Sequence, residues 1–382
     1  MITKFALIGL AAVSAFSTFA LGDGLNSYAQ TNLVSDLPNM ALHQDADLVN
    51  PWGIVASPAP PAGFGSPFWI NDNGKGLATI YDGTGTKQGL IVTIPPAGAA
   101  APTGIVFNGT GGFAGSHFIF ATEDGTIAAW TSGTSAALMG PGGATGSVYK
   151  GLALGNNGSG DLLYAANFGL GRVDVFNSTF ASTTVSGGFT DPNLPAGYAP
   201  FNIQNLNGKL YVTYALQDAA HKDDVAGAGH GFIDVFDFNG TMLQRLVSDG
   251  NLNSPWGLAI APSTFGAFGG DLLVGNFGNG WINAYDANTG ALRGTLNDTA
   301  GNPLVIQGLW GLAFGNGFHS QGANTLFFTA GIAGPDNLED HGLFGSLDAT
   351  PEPAPAALLI CAFVLAAIVR VRQRRLANKV AN

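Results

Sequence analysis

Short apolar runs, each bounded by Gly, Asn, Asp, Ser or Thr, recur along the whole chain. Asp161-Leu162-Leu163-Tyr164-Ala165-Ala166-Asn167-Phe168-Gly169 leads into the alternating segment Arg172-Val173-Asp174-Val175-Phe176. The same order returns as Asp271-Leu272-Leu273-Val274-Gly275-Asn276-Phe277-Gly278, then Trp281-Ile282-Asn283-Ala284-Tyr285-Asp286. Runs this short, with alternation and turn residues at both ends, predict β-strands rather than helices. Ahead of them stand near copies of a third segment: Pro51-Trp52-Gly53-Ile54-Val55, Pro255-Trp256-Gly257-Leu258-Ala259 and Leu309-Trp310-Gly311-Leu312-Ala313. Weaker copies begin at Pro102, Tyr149 and Pro200. Their common column is Gly53, Gly104, Gly151, Asn202, Gly257 and Gly311, in steps of about 47 to 55 residues. A fourth strand follows in each unit, as in Gln88 to Ile94 and Leu243 to Ser248.

Six units of four strands predict an all-β, six-bladed propeller over residues 23–350. Its last unit runs out of chain, because Pro351 arrives before a fourth strand can form. The segment Gln30 to Asp36 copies the fourth strand of unit four, Gln244 to Asp249, and is expected to complete blade six. Such closure leaves no open edge between the first and last blades.

Composition agrees with frequent turns. Glycine supplies 57 of 382 residues, charged residues only 10% and apolar residues 46%, which excludes a helical bundle and general disorder. Residues 23–350 hold 8 Lys and Arg against 24 Asp and Glu, a net charge of −16, so nucleic acid is excluded as a partner. The single cysteine, Cys361, lies in a C-terminal apolar run, which leaves the body without a disulfide or a thiol nucleophile. No nucleophile elbow, Walker loop, HExxH or dinucleotide fingerprint is present.

Both ends read as targeting segments. Lys4, the apolar stretch Phe5 to Leu21, and Ala20 and Gly22 before Asp23 form a secretory signal peptide over residues 1–22. Residues 351–382 carry Pro351-Glu352-Pro353, an apolar run from Ala354 to Val369 that is expected to cross the membrane in the precursor, and Arg370, Arg372, Arg374 and Arg375. This three-part order resembles the PEP-CTERM sorting signal of Gram-negative bacteria. That resemblance implies processing by an exosortase-type enzyme and delivery to the cell surface or beyond. The blade motif, apolar-apolar-Asn-Phe-Gly followed by Arg-Val-x-Val-Phe, resembles the six-bladed NHL-type propellers. The whole chain is similar to exported bacterial propellers, which implies a fold and an address but no chemistry.

Two sets of candidate residues follow from the blade alignment. The start of strand one and the end of strand two share one face of the disc. They place there Trp52, Thr103, Lys150, Phe201, Trp256 and Trp310, with Asn71, Thr122, Asn167, Tyr214, Asn276 and Thr329. Aromatic plates among amides and hydroxyls suit a neutral sugar. The alternative use of the same residues is structural, with tryptophans wedged between blades and amides holding turns. Two long loops should wall this mouth: one with Asp218, His221, Asp223, Asp224 and His230, the other with Asp336, Glu339, Asp340 and His341. Their carboxylates and imidazoles suit calcium or another divalent metal. The leading expectation is therefore a non-catalytic exported protein that binds extracellular polysaccharide or an envelope partner. The alternative is a metal-dependent, lactonase-like hydrolase or lyase at the propeller mouth, although the axial column carries no acid in line.

Overall fold

The computed structural model describes residues 26–96, 98, 100–140, 142–334 and 339–350, with Arg370 alone beyond them. The signal segment, Pro351 to Pro353, the apolar run from Ala354 to Val369 expected to cross the membrane, Arg372, Arg374, Arg375 and Asp336 lie outside the described residues. Among the described residues no helix is long and apolar enough to cross a membrane.

Six sheets form the six blades of the propeller, five of them four-stranded and antiparallel and the sixth carrying one extra strand. The inner strands are Pro51–Val55, Pro102–Phe107, Tyr149–Asn156, Tyr198–Leu206, Pro255–Ile260 and Leu309–Phe314. Burial explains the sequence pattern of the second strands. Phe118–Thr122 and Leu272–Asn276 are buried at every position, because a blade is covered on both faces by its neighbours. Some outermost strands are short and largely exposed, as in Ala137–Met139 and Leu292–Thr295, whereas Met242–Ser248 is longer and partly buried. In blade one the predicted Gln88 to Ile94 shrinks to Val92–Thr93, since Gln88 bonds back to Ile80 before the ladder starts. Each pair of neighbouring blades buries its own apolar slab, such as Trp69, Ile80, Ile105, Phe118 and Phe120 between blades one and two.

Closure takes the form expected from the sequence. Tyr28–Ser35 pairs antiparallel with His341–Ala349, from Tyr28 opposite Ala349 to Ser35 opposite Leu343, with one irregularity between Asn32 and Val34. A further short strand, His43–Gln44, adds in parallel outside it and was not expected. The closing strand also grips blade five, where the Tyr28 amide donates to Asn297 O at 2.9 Å and Asn26 Nδ2 donates to Thr295 O at 2.9 Å.

Candidate functional site

The glycine column marks where the inner strands crowd around the axis. A Cβ on Gly53 would lie 2.5 Å from Thr103 O, one on Gly104 2.6 Å from Leu152 N, and one on Gly311 2.7 Å from Trp52 O. Gly151 faces Asn202 and Gly257 faces Trp310 O in the same way, so the contacts run around the whole ring. Asn202, the exception in the column, spends its side chain on the same junction, donating from Nδ2 to Trp256 O at 2.7 Å. Every inner strand breaks register with its second strand at this point. The bulge turns backbone groups toward the next blade, and polar side chains meet them. Asn71 Nδ2 donates to Thr103 O at 3.0 Å, Thr103 Oγ1 to Tyr149 O at 2.7 Å, and Thr329 Oγ1 to Trp52 O at 2.5 Å.

The tryptophans close the channel rather than line an open rim. Trp52 and Trp310 stack with centroids 3.5 Å apart, Phe277 stacks on Trp310 at 4.1 Å, and Trp256 meets both indoles edge-on. With Phe168 and Phe201 they form a buried plug, in which Trp52, Trp256 and Trp310 are 2%, 5% and 1% exposed. The ring faces that a sugar would need are covered by other rings. Asn167 is likewise consumed locally, donating to Ser147 Oγ and Asp174 Oδ2 while accepting from the amides of Val148 and Leu170. Asn276 Nδ2 donates to Asn251 O, Thr122 bonds Thr126, and Tyr214 is buried. These side chains are engaged in contacts within and between blades.

Above the plug, Lys150 is the centre of a charged mouth. Its Nζ lies 2.5 Å from Glu123 Oε1, 3.5 Å from Asp223 Oδ1 and 4.8 Å from the centre of the Trp52 ring, with the side chain 2% exposed. A chain of amides continues from Glu123: Asn73 Nδ2 donates to Glu123 Oε2, Asn50 Nδ2 donates to Asn73 Oδ1 and to Glu339 Oε1, and Trp310 Nε1 donates to Asn50 Oδ1. Burial alone would lower the Lys150 pKa, but the Glu123 carboxylate beside it holds the ammonium above its ordinary value. Burial likewise opposes ionisation of Glu123, yet Lys150 draws its carboxyl below the usual range. Glu339 goes the other way. Burial pushes it up to about 7, with Glu123 and Asp223 adding repulsion that Lys150 and Asn50 only partly offset. Burial also raises Asp224.

One residue from each loop reaches this mouth, Asp223 beside Lys150 and Glu339 against Asn50. Among the described residues no three His, Cys, Asp or Glu stand in metal-holding geometry. The remaining candidates are dispersed. Asp218 caps its own loop by accepting from the amides of Lys222 and Asp223, His230 Nδ1 pairs with Val225 O, and His221 is exposed in the left-handed region. His341 Nδ1 sits 2.6 Å from Asp36 Oδ2 on the closing strand, and Asp340 packs beside Gly334. Glu123 and Asn50 were not among the sequence candidates. Glu123 and Asn73 stand one and two residues past the strand-two column at Thr122 and Asn71, where the alignment stopped.

The other end of the axis is open. The second halves of the inner strands enclose a funnel of about 390 Å³, with Ile54, Val55, Ile105, Val106, Leu152, Leu154, Ile203 and Leu312 on its walls and Trp256 among its lining. Its polar side chains are Asn202, Gln204 and Asn205, and no ionisable or nucleophilic side chain lines it. Gln204 Oε1 is buried there without a hydrogen-bond partner, whereas Asn205 Nδ2 donates to Leu154 O. The sequence alignment pointed to the opposite mouth because the tryptophans are there.

No family model matches the chain. Two solved structures share the fold: a structural-genomics protein of unknown function from Bacteroides thetaiotaomicron VPI-5482, with TM-score 0.51 and 13% identity over 84% of this chain and 77% of that one, and a glucose dehydrogenase, with TM-score 0.52 and 11% identity over 84% and 100%. Sequence similarity is much stronger to two proteins of Acanthamoeba polyphaga mimivirus. Uncharacterized protein R648 is 36% identical over 335 residues, covering 82% of this chain and 78% of the relative. Uncharacterized protein L690 is 34% identical over 339 residues, covering 82% and 84%. The chain therefore belongs to the family of β-propeller proteins that includes R648 and L690.

Proposed function

We propose that this protein is an exported, non-catalytic binding propeller that holds a neutral ligand, an extracellular polysaccharide or an uncharged segment of an envelope protein, at the funnel end of its axis. One observation carries the reading: the funnel combines aliphatic walls with amide side chains and contains no group able to move a proton, attack a carbonyl or hold a metal. Its volume of about 390 Å³ suits a single sugar ring or one large side chain. Delivery rests on the two ends. The N-terminal apolar segment exports the chain, and the tail from Pro351 to Arg375 holds the precursor in the membrane until an exosortase-type enzyme cuts it.

The test fills the funnel. Leu154→Trp should reduce binding of neutral polysaccharide at least about tenfold, as expected for losing an anchoring pocket, while leaving the melting temperature near that of the parent. Unchanged binding by a folded Leu154→Trp protein would refute the funnel as the site. A second reading, a lactonase-like hydrolase or lyase at the opposite mouth, is favoured by Glu339, whose pKa of about 7 suits a general base. Lactone hydrolysis that disappears in Glu339→Gln would establish it.

A further inference from the structure

On the funnel face, outward from the axis between blades one and two, lies a second concavity of about 610 Å³. Beneath it Trp69 and Phe118, 4% and 0% exposed, stack on each other with centroids 4.1 Å apart as part of the interblade slab, and the partly exposed Trp130 leans on Trp69 at 4.7 Å. Phe64 stands as a wall. It is 51% exposed and meets Phe107, His117 and Phe118 edge-on at 5.5, 5.8 and 6.5 Å. An exposed phenylalanine on a loop tip has no role in the interblade core. The rest of the lining includes Gln88, His117, Thr131 and His319, and it contains no Asp, Glu, Lys or Arg although the body carries a charge of −16. The imidazoles of His117 and His319 are exposed and make no side-chain hydrogen bond among the described residues, and the Gln88 side chain donates only to Thr86 O. Phe107 lines the funnel and Phe64 the groove, and their edge-to-face contact at 5.5 Å forms the partition between the two concavities.

We infer that this groove is a second binding site on the same face and that its ligand is a neutral saccharide chain. The inference rests on the reading of that face as the ligand-binding one, and it fixes the ligand class. A pyranose ring presents C–H bonds on one face and hydroxyls around its edge. It stacks on an aromatic plate and takes hydrogen bonds from groups placed around that plate. Here the accessible rings of Phe64 and Trp130 are flanked by an amide, a hydroxyl and two imidazoles, while charged groups, which a neutral sugar does not require, are missing from the lining. A proline-rich peptide would also use aromatic rings, but it offers one row of carbonyl acceptors along an extended backbone. Polar groups on several sides of the groove match peripheral hydroxyls better. Two sites sharing one partition give a polymer two points of attachment, with the avidity that linkage provides.

The experiment titrates the full folded protein with maltohexaose, cellohexaose, xylohexaose and a proline-rich decapeptide, followed by saturation-transfer NMR and tryptophan fluorescence. Phe64→Ala and Trp130→Ala should each weaken the responding saccharide at least about tenfold, and Trp130→Phe should recover most of the loss. Leu154→Trp, which fills the funnel alone, should leave saturation transfer from the groove in place. Phe64 is exposed, so its variant keeps the core even if Trp130→Ala does not fold. Saccharide binding lost in Leu154→Trp but untouched by Phe64→Ala would overturn the groove and spare the funnel reading. Binding of the decapeptide in place of the sugars, or binding of none of the probes, would overturn the saccharide assignment.

Discussion

Glu339 and Gly257 show how much individual positions around the axis decide. With its folded pKa at about 7 against an ordinary 4.5, Glu339 binds a proton in the native state over a range where the unfolded chain has lost it. Native protein therefore holds more protons between about pH 4.5 and 7, and this group's contribution to stability falls as pH rises through that window and levels off above it. Glu339→Gln should flatten that part of the stability profile relative to the parent, as read by urea midpoints across the window. An identical slope in both proteins would place the strain elsewhere. At Gly257 a Cβ would strike the carbonyl of Trp310 on the next blade, a backbone atom with no rotamer to change. Gly257→Ala should cost about 1–3 kcal/mol in urea denaturation, the usual range for overpacking. The same substitution at Gly158, whose Cβ would meet open space, bears only the cost of its positive φ. Such a contrast was legible in the repeat, since a glycine at a fixed place in five of the six units needs a common neighbour. Which residues meet across the axis was not legible, because Trp52 and Trp310 are brought together by closure of the ring and not by spacing along the chain.

At the scale of elements, the strands were readable because blades bury second strands on both faces and leave outer strands at the surface, which writes apolar runs and alternating runs in a fixed order. Loop ends were less readable. Glu123 and Asn73 work just past the strands, where no alternation constrains the sequence, and their roles depend on Lys150 and Asn50 arriving from other parts of the chain. The closing strand is the element with the most at stake. It gives blade six its outer strand, buries Tyr28 among Phe265, Phe268 and Leu273, and brings Asp36 to His341 and to the amide of Gly342. Without residues 26–44 the edge of His341–Ala349 would be open and its ladder groups unpaired. That truncated protein should aggregate or melt well below the intact body in differential scanning calorimetry. Equal melting of the two would mean that the ring holds without its closure.

The whole molecule presents two unlike ends. One mouth is charged and self-satisfied, with Lys150 neutralised by Glu123 and Asp223 above an aromatic plug. The other carries the apolar funnel and the neutral aromatic groove, both free of formal charge apart from two histidines. A ligand without charge gains nothing from the acidic body and is not repelled by it, so the neutral end is where binding can proceed despite the net −16. On the function proposed above the protein is held where its ligand is, and the proposed means is the tail with Pro351-Glu352-Pro353 and the arginines from Arg370 to Arg375. If these form a processing signal, the mature protein lacks Cys361 and everything after it. Mass spectrometry of protein recovered from the native host should then find a C-terminus close to Pro353. Recovery of the intact chain ending at Asn382 would instead make the apolar run a permanent membrane anchor, with the basic cluster kept on the cytoplasmic side by the positive-inside tendency.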